Sequence, residues 1–522
     1  MSFFVRILRH SSQSIVAGLT GAVGSFVAAA VIARTLGVEG TATVGMALWI
    51  IFLTTTLADI GITGTLSRFL AAQPHDRDRR DFQRLTAYGM RIFSLATIAG
   101  LILTAVILRL YWSDIIAKYA ASEREGVIFC VIVLLCFLVH MLYAFSYQLL
   151  RGLRAFGTIT LLSLVGTVAQ IILVFVGIRW LGANGALLAY VGFSLPMLWA
   201  LTKLRPADGL PPLSARRQMR SYATSFYAAA LFSPLLWVRI DVIFVDQLRT
   251  AREVGLFVAA STLAALLLQV SQMVCNALLP NIVHAAKDGE EHLRQASRTA
   301  VRFGLFLLLP ASAIVAAVAP QVIVAIYGAA FAGAGITAAL LCLAAGASSM
   351  TLVVSSVLSA ADANAPLARN GVIGAGLTIV FGAALVWQFG LVGAAGARIF
   401  AQSAVAFLNL AALRRRLPDI VQLGWLVPLI AASLCGGAAA FALITVAAGI
   451  LIVPLAMALG GIVYLVVALI WLNPSHSEIA SADRLALAQP PFIAAIMTKL
   501  VRLAGWRQKN RTFDNSSNPP AK

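Results

Sequence analysis

The chain has 522 residues, of which 60% are hydrophobic and only 11% are charged, and its formal net charge is +19. Soluble proteins carry about 25% charged residues, so the composition excludes a soluble globular protein and predicts that lipid surrounds most of the chain. The positive charge does not indicate a nucleic-acid partner, because the Lys and Arg residues lie in short connections between apolar segments rather than on one soluble domain.

Apolar stretches of spanning length recur along the chain, since about 20 residues suffice for one helical crossing of a bilayer. We predict an all-α polytopic membrane protein with fourteen transmembrane helices. The segments are 14–33, 43–66, 85–108, 126–149, 158–178, 182–202, 222–248, 253–283, 303–326, 334–360, 366–388, 391–413, 425–446 and 450–472. The first is long enough to span, so we expect it to remain as a helix rather than to be removed as a signal peptide.

The distribution of positive residues predicts the orientation. With the N-terminus in the cytoplasm, 29 of the 39 Lys and Arg residues fall on the inside and 7 on the outside, among them Arg34 and Lys118. Three more, Arg91, Arg239 and Arg398, fall within segments. An excess of positive residues marks the cytoplasmic side, so we expect a plasma-membrane protein with both termini in the cytoplasm.

Short sequence matches recur at a nearly constant offset. LGANGA at 181–186 matches FGLVGA at 389–394 with an offset of 208, and TVGMAL at 43–48 matches EVGLFV at 253–258 with an offset of 210. A displacement by six helices keeps both copies the same way up, which is a parallel repeat. We therefore predict two six-helix lobes around a central cavity, followed by two further helices. The predicted domains are an N-lobe at 1–220, a C-lobe at 221–416, the last two helices at 417–472 and a cytoplasmic tail at 473–522.

The tail contains one apolar stretch, Pro491–Trp506, which carries Lys499 and Arg502. An amphipathic helix of this kind can lie on the anionic inner leaflet. A simple polar tail fits the sequence equally well.

The sequence has no enzyme-like pattern. It lacks a Gly-Lys dipeptide, which excludes a P-loop, and its cytoplasmic connections are too short for a catalytic domain. All five cysteines lie in apolar segments without the spacing of a metal site or a disulfide framework, which indicates a packing role. We therefore predict a transporter without catalytic residues, metal or cofactor.

Polar residues inside two segments form a candidate stripe. Gln269, Gln272 and Asn276 share one face of the eighth segment, and Asp59 of the second segment corresponds to Gln269 at the offset of 210. Intramembrane polar groups usually face water or one another, so we predict that all four face the cavity. Hydrogen bonding that merely holds helices together is the alternative.

The seventh segment contains LLWVRIDVIFV, with Arg239 and Asp241 inside an apolar run. The two residues point about 200° apart on a helix, so we expect Arg239 to face the cavity and Asp241 to take a polar partner on a neighbouring helix. Arg398 and Arg91 are further cavity candidates, although long side chains near segment ends also reach the membrane interface.

Several motifs in order resemble the polysaccharide flippases of the MOP superfamily. These motifs are ARTLGVEG (33–40), LADIG (57–61), LSRFLA (66–71), LLRGLRAFG (149–157), RIDVIFVDQL with EVGLFVAAS (239–261), LLPNI (278–282) and IYGAAFAGAG (326–335). The similarity extends over most of residues 10–415 and implies the fold of two lobes around a cationic cavity.

The resemblance implies translocation of an undecaprenyl-diphosphate-linked oligosaccharide from the inner to the outer leaflet by alternating access, in the bacterial inner membrane, for O-antigen or exopolysaccharide synthesis. It also implies membrane lipids and the polysaccharide polymerase machinery as partners. The diphosphate would pair with cavity arginines, first of all Arg239, because the guanidinium fork suits phosphate. Asp241 and Asp59 would orient these arginines or carry coupling protons.

Two other transport functions stay open at this point. The lipid II branch of the superfamily has several arginines near the start of its first helix, whereas this chain has no charge between Ser11 and Ala33. A cation-coupled multidrug exporter would need an acidic cavity, but the segments hold as many arginines as acids. A membrane glycosyltransferase would need a large catalytic loop, which the sequence lacks.

Overall fold

The computed structural model describes residues 3–72, 79–153, 155–203, 211–232, 240–361, 363–418, 420–446, 449 and 451–471. All regular secondary structure in these ranges is helical. Ten of the described helical stretches are long and apolar enough to cross a membrane. The chain is therefore a multi-pass, all-helical membrane protein. Arg239, the whole predicted tail at 473–522 and the connection at 204–210 lie outside the described residues.

The described helices coincide with some predicted segments and combine or divide others. They are α1 (Phe3–Ala58), α2 (Ile62–Ala72), α3 (Arg79–Leu110), α4 (Trp112–Lys118), α5 (Glu123–Gly152), α6 (Phe156–Ser194), α7 (Leu213–Phe232), α8 (Ile240–Leu248), α9 (Ala251–Lys287), α10 (Glu290–Tyr327), α11 (Gly335–Ala360), α12 (Asn364–Arg416), α13 (Leu423–Val446) and α14 (Ile452–Trp471), with 3₁₀ helices at Leu195–Lys203 and Ala329–Ala334. The seventh predicted segment, 222–248, covers parts of α7 and α8.

Helix α6 turns back on itself at Gly182, where φ is 57° and ψ is −131°. This left-handed conformation favours glycine, since it has no Cβ to clash. Beyond the turn the two arms pack tightly, because a Cβ at Gly185 would collide with the carbonyl of Gly177. The predicted segments 158–178 and 182–202 are therefore two helical arms of a hairpin that turns at Gly182, and the second arm continues into the 3₁₀ helix Leu195–Lys203.

Helix α12 has the same hairpin at Gly390, where φ is 59° and ψ is −133°. Its arms are joined by a tilted ring contact of Phe381 with Phe400, at 4.7 Å between ring centroids, and by a hydrogen bond of 2.9 Å from Asn370 Nδ2 to Asn409 Oδ1. Gly182 and Gly390 are the glycines that the offset of 208 aligned, and they share one backbone conformation. Helix α1 bends at a third glycine, Gly37, with φ 68°.

One end of the molecule carries Arg34, Lys118 and Gly182, and we call it the outer end after the predicted orientation. A single buried core at this end joins the two halves of the chain, with Ile32 and Phe129 from the first half and Phe257 and Phe331 from the second. The burial of large apolar side chains from both halves in one cluster holds the halves together here.

At the opposite, inner end the core divides into two. One cluster contains Leu66, Phe93 and Phe145 of the first half, and another contains Leu305 and Leu413 of the second half. Helix α7 packs on α2 in the first of them. The halves thus share a core at the outer end and keep separate cores at the inner end, which leaves space between them below the outer core.

The lateral surface is apolar, as a lipid-facing surface requires. Leu95, Ile98 and Ile102 of α3 are all more than half exposed, and so are Trp180 and Trp387 beside the two hairpin turns. Exposed tryptophans near helix ends are typical of the membrane interface.

Candidate functional site

A cavity of about 480 Å³ lies between the two halves. Helices α1, α5 and α6 form one wall, and α9 with one residue of α12 forms the other. The side chains that line it are small, aromatic or polar: Ser25, Phe26, Phe52, Tyr143, Tyr147, Ser163, Tyr190, Phe193, Ser261, Thr262, Gln269 and Arg398, together with glycines, alanines, leucines and a valine. A volume of this size is typical of a ligand site.

The wall formed by α5 and α6 is aromatic because α5 repeats rings along one face. His140, Tyr143 and Tyr147 follow the spacing i, i+3, i+7, and their rings are stacked in pairs at centroid distances of 5.9 and 6.1 Å. Phe193 of α6 lies 5.6 Å from the ring of Tyr143. We call Tyr143, Tyr147 and Phe193 the aromatic wall; their faces offer flat apolar surfaces with hydroxyl groups at the edges.

Arg398 of α12 is the charged side chain among the described residues that line the cavity. Its guanidinium forms an ion pair with the carboxylate of Asp241 in the first turn of α8. The Arg398 side chain is 11% exposed and that of Asp241 is 3% exposed. The guanidinium also lies 5.8 Å from the ring of Phe257. The pair therefore stands at the boundary between the cavity and the protein interior, with the cation on the cavity side.

Pairing explains how an apolar segment tolerates Asp241. An isolated buried charge is costly, whereas a pair of opposite charges removes most of the penalty. The partner of Asp241 comes from a neighbouring helix, α12.

A second buried aspartate, Asp246, lies at the outer end of α8. Its Oδ1 accepts a hydrogen bond of 2.5 Å from the Tyr119 hydroxyl and pairs with Lys118 Nζ at 3.3 Å, and its Oδ2 accepts 3.0 Å from Gln247 Nε2. Lys118 Nζ also donates to the Asp246 backbone carbonyl. Burial, followed by the charge of Asp246, raises the pKa of Tyr119 above its ordinary value. We call these four residues the outer cluster; it ties α4 to α8.

A second polar contact joins the halves at the same end. Arg34 of α1 donates from Nε to the carbonyl of Ile326 at 2.7 Å and from a terminal nitrogen to the carbonyl of Ala325 at 2.5 Å. These are carbonyls of the last turn of α10, which a cation complements. The outer end is thus closed by polar contacts as well as by the shared core.

The structure distributes the predicted site residues over different places. Gln269 and Arg398 line the cavity, and Asp241 is paired behind Arg398. Gln272 and Asn276 are exposed on α9 and are not among the lining residues. Their role, like that of the two residues described next and of Arg239, stays a prediction.

Asp59 and Arg91 lie away from the cavity lining. Asp59 precedes α2 and accepts from Thr63, at 2.9 Å from the hydroxyl and 3.3 Å from the backbone nitrogen. A carboxylate at this position satisfies the free N–H groups of a helix start. Arg91 is exposed on α3.

Sequence reasoning missed the aromatic wall and the outer cluster. The spacing of His140, Tyr143 and Tyr147 was the available signal for the first, since three rings on one helical face form a flat apolar surface against which a ligand can lie. No sequence signal links Lys118 to Asp246, which are 128 residues apart. Among the described residues, no group of three or more His, Cys, Asp or Glu could hold a metal ion.

Comparison with solved structures identifies the fold. The lipid II flippase MurJ in an inward closed conformation matches with a TM-score of 0.66 and 14% identity, covering 89% of this chain and 98% of MurJ. An inward-facing multidrug resistance MATE family transporter of the MOP superfamily matches with a TM-score of 0.65 and 14% identity, covering 78% and 98%. A MOP superfamily transporter from Pyrococcus furiosus Vc1, described as having a binding pocket of reverse polarity, matches with a TM-score of 0.57 and 13% identity, covering 79% of this chain and 96% of that protein.

Comparison of sequences identifies the family. No curated protein matches the chain. The family model described as "Polysaccharide biosynthesis protein" matches residues 7–285, which is more than half of the chain. With this match, the chain belongs to the polysaccharide biosynthesis protein family, and it shares the fold of the MurJ and MATE structures.

Proposed function

We propose that the chain moves an undecaprenyl-diphosphate-linked oligosaccharide from the inner to the outer leaflet of the bacterial inner membrane by alternating access. The observation that carries the proposal is the cavity of about 480 Å³, which combines the aromatic wall with Arg398 as its described charge. A lipid-linked oligosaccharide has the matching parts: sugar rings with apolar faces and many hydroxyls, and an anionic diphosphate.

Each part of such a substrate has a partner in the cavity. Sugar rings can lie against Tyr143 and Phe193, where their apolar C–H faces leave water. Hydroxyl groups can bond to Ser261, Thr262 and Gln269, which line the opposite wall. The diphosphate can accept from Arg398, because a guanidinium fork binds phosphate with two parallel hydrogen bonds. The prenyl chain would remain in the bilayer.

The division of the core supports the direction of access. The shared core at the outer end closes the cavity there, and the separate cores at the inner end leave the halves free to part. A substrate formed in the cytoplasm would enter from the inner end, and rocking of the halves would then open the outer end.

The same proposal includes the topology of the chain. We propose fourteen crossings with both termini in the cytoplasm, the N-lobe at 1–220, the C-lobe at 221–416, two further helices at 417–472 and a tail at 473–522. The hairpins at Gly182 and Gly390 support this topology because each of them accounts for two crossings and they recur at the offset of the predicted repeat. The polymerase machinery of polysaccharide synthesis would receive the product at the outer face.

The chemistry of the cavity favours this substrate over a cationic drug. A cationic ligand would find no anionic partner in the cavity wall, because none of the described lining residues is acidic. Lipid II shares the prenyl diphosphate, so the cavity charge alone does not distinguish it from an oligosaccharide carrier. The predicted first membrane segment has no charge between Ser11 and Ala33, which favours the oligosaccharide; Arg6 and Arg9 precede this stretch at the start of α1.

A three-way complementation experiment tests the proposal. The chain is expressed in a strain lacking its oligosaccharide flippase, in a strain depleted of its lipid II flippase, and in a strain lacking its main drug exporters. We expect surface polysaccharide in the first strain, no growth rescue in the second and no drug resistance in the third. Rescue of the second or third strain without the first would reject the proposed substrate. For later variants of the cavity arginine, Arg109→Ala is the matched control, because it removes an exposed arginine away from the cavity.

A further inference from the structure

Arg398 belongs to two environments at once. It lines the cavity, where a ligand can reach it, and it holds the carboxylate of Asp241, which is 3% exposed. Among the described residues, Arg398 is the titratable side chain that interacts with Asp241. The cation that the proposed function assigns to the substrate is therefore already neutralised by an anion of the protein.

This arrangement has an electrostatic consequence for any anionic ligand. A phosphate that approaches Arg398 meets a neutral pair rather than a free cation, and it is repelled by the Asp241 carboxylate behind it. If both anions remained on one guanidinium, the buried site would carry excess negative charge in a medium of low dielectric constant, which is unfavourable. The two anions must therefore compete for Arg398.

We propose that Asp241 is a built-in competitor for the anionic group of the substrate and thereby limits the affinity of the cavity for it. This inference rests on the proposed function, because it takes Arg398 as the residue that binds the diphosphate. When the substrate binds, the phosphate oxygens take over the guanidinium donors; when the carboxylate returns to Arg398, the phosphate is displaced and the substrate can leave.

A limit on affinity serves transport. A carrier that bound its substrate as tightly as a free arginine cluster would release it slowly, and the release step would restrict turnover. Arginine can change partners without losing its charge, since it stays protonated under all physiological conditions. Asp241 is a positioning residue in this scheme; it contacts Arg398 and not the substrate.

Binding of farnesyl diphosphate and of inorganic pyrophosphate to the purified full-length chain in nanodiscs tests the proposal. We expect Asp241→Asn to lower the Kd for both probes at least tenfold and to slow the export of polysaccharide. Arg398→Ala should raise the Kd at least tenfold, and the double variant should behave like Arg398→Ala alone, because without Arg398 nothing remains to compete for. Farnesyl diphosphate binding without pyrophosphate binding would assign the affinity to the prenyl chain and overturn the proposal.

Two controls keep the result interpretable. Glu291→Gln makes the same change of charge at an exposed position of α10, and its Kd should stay within twofold of the wild type. If Asp241→Asn does not fold, Asp241→Ser supplies the same test with a smaller side chain. Unchanged or weaker binding by a folded Asp241 variant would overturn the proposal.

The outcomes separate this inference from the proposed function. If the order of affinities holds but the chain restores no polysaccharide, the substrate assignment fails and the competition at Arg398 stands. If polysaccharide is restored but Asp241→Asn binds diphosphate no more tightly than the wild type, the competition fails alone.

Discussion

Helix α8 carries two buried aspartates five residues apart, and their surroundings differ completely. Asp241 has a single charged partner among the described residues, and that partner, Arg398, reaches the cavity. Asp246 accepts from Tyr119, Lys118 and Gln247, and its side chain is fully buried at the outer end. Five residues correspond to a rotation of about 140° around a helix, so one helix presents its carboxylates to two different regions.

The difference indicates two roles for a buried carboxylate in this protein. A carboxylate with several donors and no access to a ligand has nothing to gain from leaving its site, so Asp246 holds two parts of the chain together. A carboxylate that shares one accessible cation can be displaced by any stronger anion. We therefore expect changes at the Arg398–Asp241 pair to alter transport, and changes in the outer cluster to alter closure.

The largest effect is expected from Arg398→Ala. The variant removes the described cation of the cavity and leaves Asp241 buried without a partner, which costs about 3–5 kcal/mol of stability. Export of polysaccharide, normalised to the amount of protein in the membrane, should fall by about 100-fold, which corresponds to about 2.7 kcal/mol. Normal export by a correctly inserted Arg398→Ala would show that the pair is structural.

Replacing both partners separates the two contributions. Arg398→Met with Asp241→Leu substitutes apolar side chains for the whole pair, and such replacements are often neutral or stabilising. We expect the free energy of unfolding of the double variant, measured by thermal unfolding in detergent, to lie within about 1 kcal/mol of the wild-type value. Export should stay as low as in Arg398→Ala. Export by the double variant at the wild-type rate would be incompatible with a role of Arg398 in binding.

The next effect is expected from Asp246→Ala, which removes the acceptor of the outer cluster. Opening of the outer end should become easier by about 1.4 kcal/mol, a tenfold change in the population of open molecules. The measurement is the labelling of a cysteine at Ser261, in the cavity, by an impermeant maleimide added from outside, after replacement of the half-buried Cys130 and Cys435. Labelling should be about tenfold faster.

The control for this experiment is Asp114→Ala, which removes a carboxylate from the first turn of α4 without removing a partner of Lys118 in the outer cluster. Its labelling rate should match that of the unmodified background. Equal rates in the Asp246 variant and the control would mean that the shared apolar core alone closes the outer end.

A separate effect, on stability rather than on opening of the outer end, is expected from Tyr119→Phe. The hydroxyl donates to a charged acceptor, and such a hydrogen bond contributes about 1.5–3 kcal/mol. Because burial and the charge of Asp246 raise the pKa of Tyr119, the stabilisation is fully present below the unfolded pKa of about 10 and is lost only as the pH rises through the higher folded pKa. The stability difference between the two proteins should therefore be constant from pH 6 to pH 9. A difference that changes within this range would contradict the assigned hydrogen bond.

The smallest effect is expected from Arg91→Ala. Arg91 is exposed on α3 and away from the cavity lining, and exposed substitutions usually change stability by less than about 0.5 kcal/mol. Export should stay within twofold of the wild type. A loss of export comparable to that of Arg398→Ala would restore Arg91 as a substrate residue and weaken the contrast between cavity and surface charges.

The sequence by itself determined the all-helical membrane fold and much of its periodicity. Apolar segments need about 20 residues to cross the bilayer, and their backbone groups must be satisfied within the segment, so composition and length leave helices as the solution. The match of LGANGA with FGLVGA also aligned Gly182 with Gly390, because a sharp turn with positive φ needs glycine in both copies. Gln269 and Arg398, which the sequence suggested for the cavity because charged and polar groups avoid lipid, lie among the residues that line it, and their role stays a prediction.

Only the tertiary structure decided which of these polar residues meet. Asp241 and Arg398 are far apart in the chain, and so are Asp246 and Lys118; their pairing depends on the rotation of α8 and on how α4 and α12 pack against it. Helical spacing specifies the face on which a side chain lies but not which helix that face contacts. The four residues of the predicted stripe accordingly lie in different places. Gln269 lines the cavity, whereas Gln272 and Asn276 are exposed on α9. Asp59 caps α2, because the backbone leaves the helical conformation at Gly61, where φ is 74°.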